Sequence, residues 1–491
     1  MVDVESNEMS LGKVYQHSRA LVFSTLLSVG CLTFLCAATV PYFGGADERL
    51  HLDYAWHIGH GRFPQFHEGA KIPLYKKPPP VQFVAHHPPL YYALQAPLTR
   101  YFIDVEGDVD AAAMAARMVN VGIGLVCVLA LIWIGGVIDG SSMLYRIGIP
   151  AVFCSFLPFI KISSLIFNDA LALLFAVLGI GLSWRILYEG PSRHLTLCLA
   201  TVSALGMASR ATHIGIVLIG CSAVWLNYLC VQRLGVKRSL QRSIVPIAVV
   251  LSAVVLTIGW FYWRNYTLSG SWTRVAPQSW AVVLKREYKD VFRVLSELRM
   301  WIFPVVWPYG YLPFSLQWYV VGPLITGLMT LYAVAIFRCR RLLHVEQWLC
   351  GVLLGVVVLL SYAQQIVHAT GYGAFNPRYL MLVYVVIAIC IVRALRELPP
   401  WLSTSIVAFC AICGLVANAA WSISKIPVGH GAPEAALQRM IWQVTSVKGV
   451  SLTLFVWCAL GALVGMSIQL VLWHQEACRV TRLKSCMPPA I

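Results

Sequence analysis

Charged residues are scarce in this sequence. Only 12% of its 491 residues are Asp, Glu, Lys or Arg, whereas 59% are hydrophobic and the mean hydropathy is +0.72. A soluble domain carries about a quarter charged residues, so the composition excludes a soluble protein and indicates a polytopic membrane protein.

Acidic residues are scarcer than basic ones. The 21 Asp and Glu stand against 37 Lys and Arg, a formal net charge of +16. The basic residues are spread over many short loops and form no block or stripe, so the charge does not indicate a nucleic-acid footprint. The expected partners are membrane lipids, and a phosphate-bearing substrate is a further candidate.

Cysteine is missing from the segments that we predict to lie outside the membrane. None of the fifteen Cys falls in 42–112, 263–317, 368–378 or 422–450, so we predict neither a disulfide framework nor a paired CxxC metal site. The "HIGH" segment places His57 and His60 at i, i+3 on one helix face, but a metal site needs three or four ligands. We therefore predict no metal site and no certain cofactor, and leave a divalent cation open.

Long apolar windows are abundant. We read twelve membrane spans, at 20–40, 115–138, 147–166, 169–188, 195–209, 211–231, 243–262, 319–337, 347–367, 379–393, 402–421 and 451–473. The predicted fold is an all-α polytopic transmembrane bundle of about 12 spans.

Loop charge predicts the orientation of this bundle. With the N-terminus 1–19 inside, the basic segments 233–242, 338–344 and 393–397 and the tail 474–491 all face the cytoplasm, as the positive-inside rule requires. Reading 195–231 as one helix would place the later clusters outside, so two helices with Arg210 at their outer turn are predicted.

The same orientation divides the chain. A transmembrane domain fills 20–473 and carries outer loops at 42–112, 263–317 and 422–450. The first loop contains "HPPLYYALQAPL" (87–98), which is too short to cross the membrane and is predicted to lie flat at the outer interface.

Polar clusters gather on the predicted outer face, which favours an extracytoplasmic site. The candidate residues are Asp47, Glu48, His86, His87, Asn168, Asp169, Arg210, Arg264, Tyr362, Gln365 and Arg378. Structural alternatives stay open for several of them. Asp47, Asn168 and Asp169 suit helix N-caps, and Arg210 and Arg378 suit snorkelling to lipid headgroups. The 263–317 loop either binds a substrate or anchors in the membrane interface through its Trp residues.

Six motifs recur in an order that resembles the GT-C superfamily of integral membrane glycosyltransferases. They are "DE" after the first span, "GHGRFP", "HHPPLYYAL", "ND" opening the fourth span, "W..RN" after the seventh and "PRYL" near a late span. The sequence is similar in particular to bacterial relatives of protein O-mannosyltransferases and of the lipid A aminoarabinose transferase. It departs from the pattern at "NPRYL", and we expect no large C-terminal periplasmic domain of the kind that oligosaccharyltransferases carry.

The resemblance implies an inverting transfer of sugar from a polyprenyl-phosphate donor to a glycan, lipid or protein acceptor, with the catalytic acid in the first outer loop. Asp47 is then the expected base, with Glu48 as positioner or substitute. Arg210, Arg264 and Arg378 are expected to bind the donor phosphate, with His86 or His87 as a further contact. The expected location is a bacterial plasma membrane with the site facing outward.

Two other function classes remain alternatives. A secondary transporter is typically built from repeated halves with charges near the midplane of the membrane, and no such repeat is evident in the sequence. The second alternative is a non-catalytic protein that handles polyprenyl-linked lipids or glycans. The presence of both Asp47 and several arginines argues against this alternative.

Overall fold

The computed structural model describes residues 3–45, 47–75, 78–139, 143–272, 291–296, 316–339, 344–372, 377–426 and 435–486. Its helices are numbered in chain order: α1 Asp3–Thr39, α2 Glu48–Gly59, α3 Leu90–Arg100, α4 Val109–Ile138, α5 Met143–Ser155, α6 Leu157–Ser164, α7 Asp169–Glu189, α8 Arg193–Ser209, α9 Ile214–Leu226, α10 Val236–Val254, α11 Trp260–Ser269, α12 Val291–Ser296, α13 Gly322–Cys339, α14 Val345–Tyr372, α15 Met381–Leu395, α16 Pro400–Ser424, α17 Ala436–Trp442 and α18 Leu452–Cys486. These ranges contain no β-strand.

The protein is an integral, multi-pass helical membrane protein. Among the described residues nine helical segments are long and apolar enough to cross a bilayer, and the bent pair α5–α6 would add a tenth. Each of the twelve predicted windows falls on a helix, but α8 with 17 residues and the apolar segment Tyr319–Val334 are short for a span. The count of twelve therefore stays a prediction.

The third predicted span is broken. The window 147–166 forms α5 and α6, whose axes differ by 77° around Phe156. Pro158 in the first turn of α6 explains the break, because its ring lacks an N–H and clashes with a preceding helical turn. The bend directs the 165–168 turn toward α4, where Asn120 donates hydrogen bonds to the carbonyls of Leu165 and Phe167.

The 195–231 segment is a helical hairpin, as the loop charges predicted. A methyl group on Gly220 of α9 would lie 2.8 Å from Leu199 Cδ1 of α8, whereas a continuous helix would hold these residues about 30 Å apart. The chain reverses at Arg210, which follows the last residue of α8, and at the short 3₁₀ turn Ala211–His213.

Helix termini collect at two ends of the bundle. At the Asp47 end, Asp47, Asp169, Arg210 and Arg378 lie together through ion pairs. At the Arg396 end, Arg396 after α15 pairs with Asp139 after α4 over 2.8 Å. The basic segment 393–397 lies at this second end, which is the end predicted to be cytoplasmic. Which side of the membrane each end faces stays a prediction.

The first outer loop packs on the bundle more tightly than predicted. α3 does carry the 87–98 segment, but Tyr91 and Tyr92 are fully buried. The Tyr92 ring stacks on Tyr54 of α2 at 3.8 Å between centroids. These rings therefore join the loop to the bundle core, and the flat position of 87–98 at the outer interface stays a prediction.

Several predicted boundaries shift or lie outside the described residues. The first helix begins at Asp3 and the last continues to Cys486, so the described residues of the predicted tails 1–19 and 474–491 continue the helices of the adjoining spans. The described ranges leave out most of the predicted 263–317 loop, residues 340–343 of the basic loop 338–344, Asn376 of "NPRYL", and residues 427–434 of the 422–450 loop.

Candidate functional site

The turn 41–47 brings an acidic residue to the exit of α1. Pro41 and two glycines follow the apolar helix, and the chain enters α2 through Asp47. Asp47 has φ 66°, in the left-handed region, and its side chain makes no capping hydrogen bond. A left-handed non-glycine residue is uncommon and costs about 1–2 kcal/mol. The N-cap alternative for Asp47 is therefore not realised.

The Asp47 carboxylate remains accessible and lies beside a guanidinium group. Its side chain is 37% exposed, and Oδ2 lies 3.5 Å from Arg378 Nη2. The Arg378 guanidinium also lies 3.7 Å from Asp169 and 4.7 Å from the centre of the Phe167 ring. Arg378 therefore bridges two acidic residues that are 122 positions apart in the chain.

A second arginine completes this charged network. Arg210 is buried, binds Asp169, and donates to Asn168 Oδ1 over 3.3 Å. Its guanidinium lies 5.0 Å from the centre of the Tyr379 ring, and that ring lies 4.3 Å from His368. The snorkelling alternative for Arg210 is not realised, because the side chain points into the protein.

A small cavity adjoins the two arginines. Its volume is about 50 Å³, and it is lined by Asp169, Arg210 and Arg378 together with Gln364 and Tyr379. One or two water molecules fill such a space. An incoming phosphate would therefore need to displace side chains from the network rather than enter a preformed chamber.

Glu48 has a different environment from its neighbour. The carboxylate is fully buried and receives two hydrogen bonds from Arg117, at 3.0 and 2.9 Å. The backbone N–H groups of Gly45 and Ile166 also donate to it. Burial raises the pKa of Glu48, but Arg117 and these donors outweigh it and lower the pKa overall.

Arg117 fastens the start of the turn to α4. Besides Glu48, it donates to the backbone carbonyls of Ala37, Val40 and Pro41 over 2.7–2.8 Å. Lys448 also donates to the carbonyls of Ala37 and Val40, and its Nζ lies 4.6 Å from the centre of the Tyr42 ring. The free carbonyls at the end of α1 are thus occupied by two cations. Burial lowers the pKa of Lys448 to about 6.

Histidines and tyrosines form a packed layer next to the network. His51 Nδ1 lies 2.9 Å from the Tyr92 hydroxyl, and the ring stacks parallel to His87. The rings of His86 and His87 lie 4.2 Å apart. Burial, with the neighbouring positive charges of Arg378 and Arg210, lowers the pKa of His51 well below its usual value. Burial likewise lowers the pKa of His87.

Three other predicted site residues lie beside this network rather than in it. Arg264 packs over Phe63 and Phe261, with its Cζ 5.0 and 5.6 Å from the two ring centres. On α14, Gln365 is fully buried and Tyr362 is partly buried. The neighbouring Gln364 donates to the Thr212 carbonyl over 2.8 Å, which attaches this helix to the Arg210 turn.

Asp53 and His60 make contacts that hold the first outer loop in place. Asp53 is buried and accepts from the N–H groups of Lys71 and Ile72 and from Gln82, over 2.6–3.0 Å. Burial raises the pKa of Asp53 to about 6. His60 pairs with Asp104 over 3.0 Å. No group of three or more potential metal ligands occurs within the described ranges.

Three cationic side chains near the candidate site were not predicted from the sequence. Arg117, Lys161 and Lys448 lie at the Asp47 end of the bundle, and Lys161 of α6 is placed 5.4 Å from the centre of the Trp421 ring. For Arg117 and Lys161 the signal was present, because each falls inside an apolar window. A charge inside a membrane span marks a functional or structural site.

Comparison with known proteins finds solved structures that are similar in fold. Over 96% of this chain and 78% of the other, the crystal structure of ArnT from Cupriavidus metallidurans in the apo state matches with 13% identity and a TM-score of 0.48. The archaeal oligosaccharyltransferase AglB from Archaeoglobus fulgidus, in complex with an inhibitory peptide and a dolichol-phosphate, matches over 95% of this chain with 13% identity and a TM-score of 0.43.

The chain spans little more than half of AglB, 56% of its length. No protein-family model matches the sequence, and no curated protein matches it.

Proposed function

We propose that the protein is a glycosyltransferase that moves a sugar from a polyprenyl-phosphate carrier to a hydroxyl acceptor at the extracytoplasmic face of the membrane. The observation that carries the proposal is the accessible Asp47 carboxylate, 3.5 Å from Arg378 at the exit of α1. A sugar donor that is attached to a lipid carrier cannot leave the bilayer, so the residue that acts as the general base must lie at the depth of the lipid headgroups. The corresponding location is a bacterial plasma membrane with the Asp47 end outward.

In the proposed reaction Asp47 accepts the proton of the acceptor hydroxyl as its oxygen attacks the anomeric carbon. The bond between that carbon and the phosphate oxygen breaks, and polyprenyl phosphate leaves with the electron pair. One accessible carboxylate suits a single inverting displacement, since a retaining enzyme uses a second carboxylate as nucleophile.

The arginines stabilise the leaving group in this scheme. Arg378 lies against both Asp47 and Asp169, and a lipid phosphate that competes for its N–H donors would release Asp47 for proton transfer. Arg210 holds Asp169 and adds positive charge close to Arg378. Lys161, His86 and His87 are further candidates for binding the phosphate, and Asn168, Tyr362 and Gln365 are candidates for supporting the site.

The decisive variant is Asp47→Asn, which keeps the size of the side chain but removes the proton acceptor. We expect turnover to fall about 10²–10⁴-fold, in line with loss of a general base. Mass spectrometry of lipids that co-purify with the protein identifies the donor. Transfer of labelled sugar is then measured in proteoliposomes that contain this donor.

Asp104→Asn is the matched control. Asp104 lies in the same loop, is 30% exposed and is also ion-paired, but it contacts His60 and Arg100 rather than Arg378. Its variant is expected to transfer sugar at the wild-type rate. Equal rates for wild type and Asp47→Asn would refute the assignment of Asp47 as base.

A further inference from the structure

Lys161 of α6 is a cation for which the described part of the chain provides no hydrogen-bond acceptor. Its ammonium group lies 5.4 Å from the centre of the Trp421 ring, and no carboxylate or carbonyl among the described residues binds it. An aromatic ring stabilises a cation less than a carboxylate does, and a charge inside a membrane span usually pairs with another polar group. Lys161 is therefore free to bind an anion.

Four other cations at the same end of the bundle already have acceptors. Arg117 and Arg210 each bind a buried carboxylate, and Arg378 lies between two carboxylates. Lys448 binds two backbone carbonyls at the end of α1. Lys161 differs from all four, because its charge is not yet compensated by an acceptor among the described residues.

The bend between α5 and α6 places Lys161 at the depth where helices end. α6 turns by 77° from α5, so it runs across the bundle rather than along it. Its last residue, Ser164, donates to Cys36 Sγ over 3.0 Å, and Ser422 donates to the same sulfur over 3.9 Å. Cys36 and Ser422 both lie in the last turn of their helices. Because Lys161 is one helical turn before Ser164, it lies near the depth of a lipid phosphate.

The charged groups that act most strongly on Lys161 are also positive. They are Arg378 and Lys425, whereas Glu48 acts more weakly and is already bound to Arg117. Lys161 is partly buried, so its electric field is screened less than that of the exposed Lys425. A partly buried cation between like charges favours the binding of an anion beside it.

The network around Asp47 has no net charge that would attract a phosphate. Asp47 and Asp169 carry two negative charges, and Arg210 and Arg378 carry two positive charges. A polyprenyl-phosphate sugar is a phosphodiester with one negative charge, which this neutral network does not compensate. The positive charge of Lys161 brings the sum for the network and the bound donor to zero.

We propose that Lys161 supplies the net positive charge that binds the donor phosphate, which lies between its ammonium group and the Arg378 guanidinium. This inference rests on the sugar transfer proposed above. During transfer Asp47 gains the acceptor proton and becomes neutral, while the phosphate leaves with the electron pair of the broken C–O bond and gains one negative charge. Arg378 then shifts from Asp47 to the phosphate, and the charges of the site still sum to zero.

The test compares binding of undecaprenyl phosphate and of undecaprenol, which has the same chain without the phosphate, to the full-length protein in detergent. Lys161→Met removes the charge and keeps an unbranched side chain. It should lower the affinity for undecaprenyl phosphate about ten- to a hundredfold, the range for a charge-assisted contact, and leave undecaprenol binding unchanged. Lys161→Arg keeps the charge and should restore most of the affinity. Inorganic phosphate that competes as tightly as undecaprenyl phosphate would overturn the assignment of a lipid phosphate.

Lys425→Met is the matched control, since Lys425 is a neighbouring lysine whose charge is exposed to solvent. Its affinity for undecaprenyl phosphate should change less than about twofold. Equal losses in the two Met variants, or no loss in either, would overturn the role of Lys161 and leave the assignment of Asp47 as base intact. A lower melting temperature of Lys161→Met with weaker binding of both lipids would also overturn it, since that result indicates a structural role. Absence of undecaprenyl phosphate binding by the wild type would instead refute the proposed function.

Discussion

Asp47 and Glu48 are adjacent acidic residues, and each lies next to an arginine, yet their surroundings differ in every other respect. The Glu48 side chain is fully buried, and its oxygens accept four hydrogen bonds that join α2 to α4, to the 41–47 turn and to the 165–168 turn. The Asp47 side chain is 37% exposed and touches Arg378 at 3.5 Å. A saturated carboxylate holds structure, whereas an accessible one can take a proton.

This comparison revises the expected role of Glu48. We expected it to position the acceptor or to substitute for Asp47 as base. Because its oxygens are buried and occupied, we assign it instead to holding the turn that presents Asp47. The assignment predicts that loss of Glu48 acts on folding, while loss of Asp47 acts on the reaction.

The largest effect should come from breaking the Glu48–Arg117 pair. Glu48→Gln leaves Arg117 as a buried charge without a charged partner, and we expect it to lower the free energy of unfolding by about 3–5 kcal/mol. Thermal unfolding in detergent measures the loss. Glu189→Gln is the control, since the pair of Glu189 with Arg185 is partly exposed and contributes less than about 1 kcal/mol. Equal losses in both variants would show that Glu48 does not hold the turn.

Asp53 should give stability a pH dependence of the opposite sign from that of an ordinary ion-paired carboxylate. Burial raises its pKa from 3.8 to about 6, so the folded state binds its proton more tightly than the unfolded state does. Its contribution is fully present below pH 3.8 and is lost as the pH rises to about 6. Two pKa units correspond to about 3 kcal/mol.

The measurement for Asp53 compares unfolding of wild type and Asp53→Asn in detergent between pH 4 and pH 7. The variant lacks the titrating group, so it should gain stability relative to the wild type across this interval. Parallel pH profiles for the two proteins would contradict the prediction.

Arg378 should matter for donor binding more than for folding. Arg378→Ala removes charge-assisted contacts worth roughly 1.5–3 kcal/mol, so the affinity for undecaprenyl phosphate should fall about ten- to a hundredfold. Arg210→Ala should lower the affinity in the same direction. Arg378→Lys should restore part of the affinity, since lysine keeps the charge but loses the fork of donors.

Arg264→Ala is the internal comparison for the arginines. Its guanidinium packs on Phe63 and Phe261 rather than on the Asp169 network, so a smaller loss of affinity is expected. A tritiated undecaprenyl phosphate binding assay in detergent measures all of these variants. A loss in Arg264→Ala that matches the loss in Arg378→Ala would move the phosphate site toward α11.

The smallest expected effect is on the stability of Asp47→Gly. Glycine removes the strain of φ 66°, a gain of about 1 kcal/mol, and the variant loses a partly exposed ion pair worth up to about 1 kcal/mol. The free energy of unfolding should therefore change by no more than about 1 kcal/mol, while sugar transfer is lost. A loss of several kcal/mol would place Asp47 in the same structural class as Glu48.

Much of the fold followed from composition and periodicity. Among the described residues, windows of apolar residues located every long helix, because a chain in a bilayer must satisfy its backbone hydrogen bonds within each segment. Loop charge predicted that the chain reverses at Arg210. The 77° bend at Phe156 was missed, since an apolar window reports hydropathy and not direction, although Pro158 was the available signal.

The candidate site was predicted less completely. The sequence placed Asp47, Asp169, Arg210 and Arg378 at the same membrane face, and these are the residues that the structure brings into one network. It could not separate Arg264 from the other arginines, because membrane depth does not specify which helices are neighbours. Lys448 was missed because its hydrogen-bond partners are backbone carbonyls, which leave no mark in a sequence pattern.

The sequence by itself determined that the chain is a helical membrane protein and which polar residues lie at membrane exits, since hydropathy and loop charge are properties of single segments. Only the tertiary structure decided that Asp47 is accessible and that Glu48 is buried and fully hydrogen-bonded. Neighbouring residues in a chain share the same depth, but the Arg117 side chain reaches only one of them. Burial and hydrogen-bond saturation arise from packing between distant helices, and those two quantities separate a structural carboxylate from a reactive one.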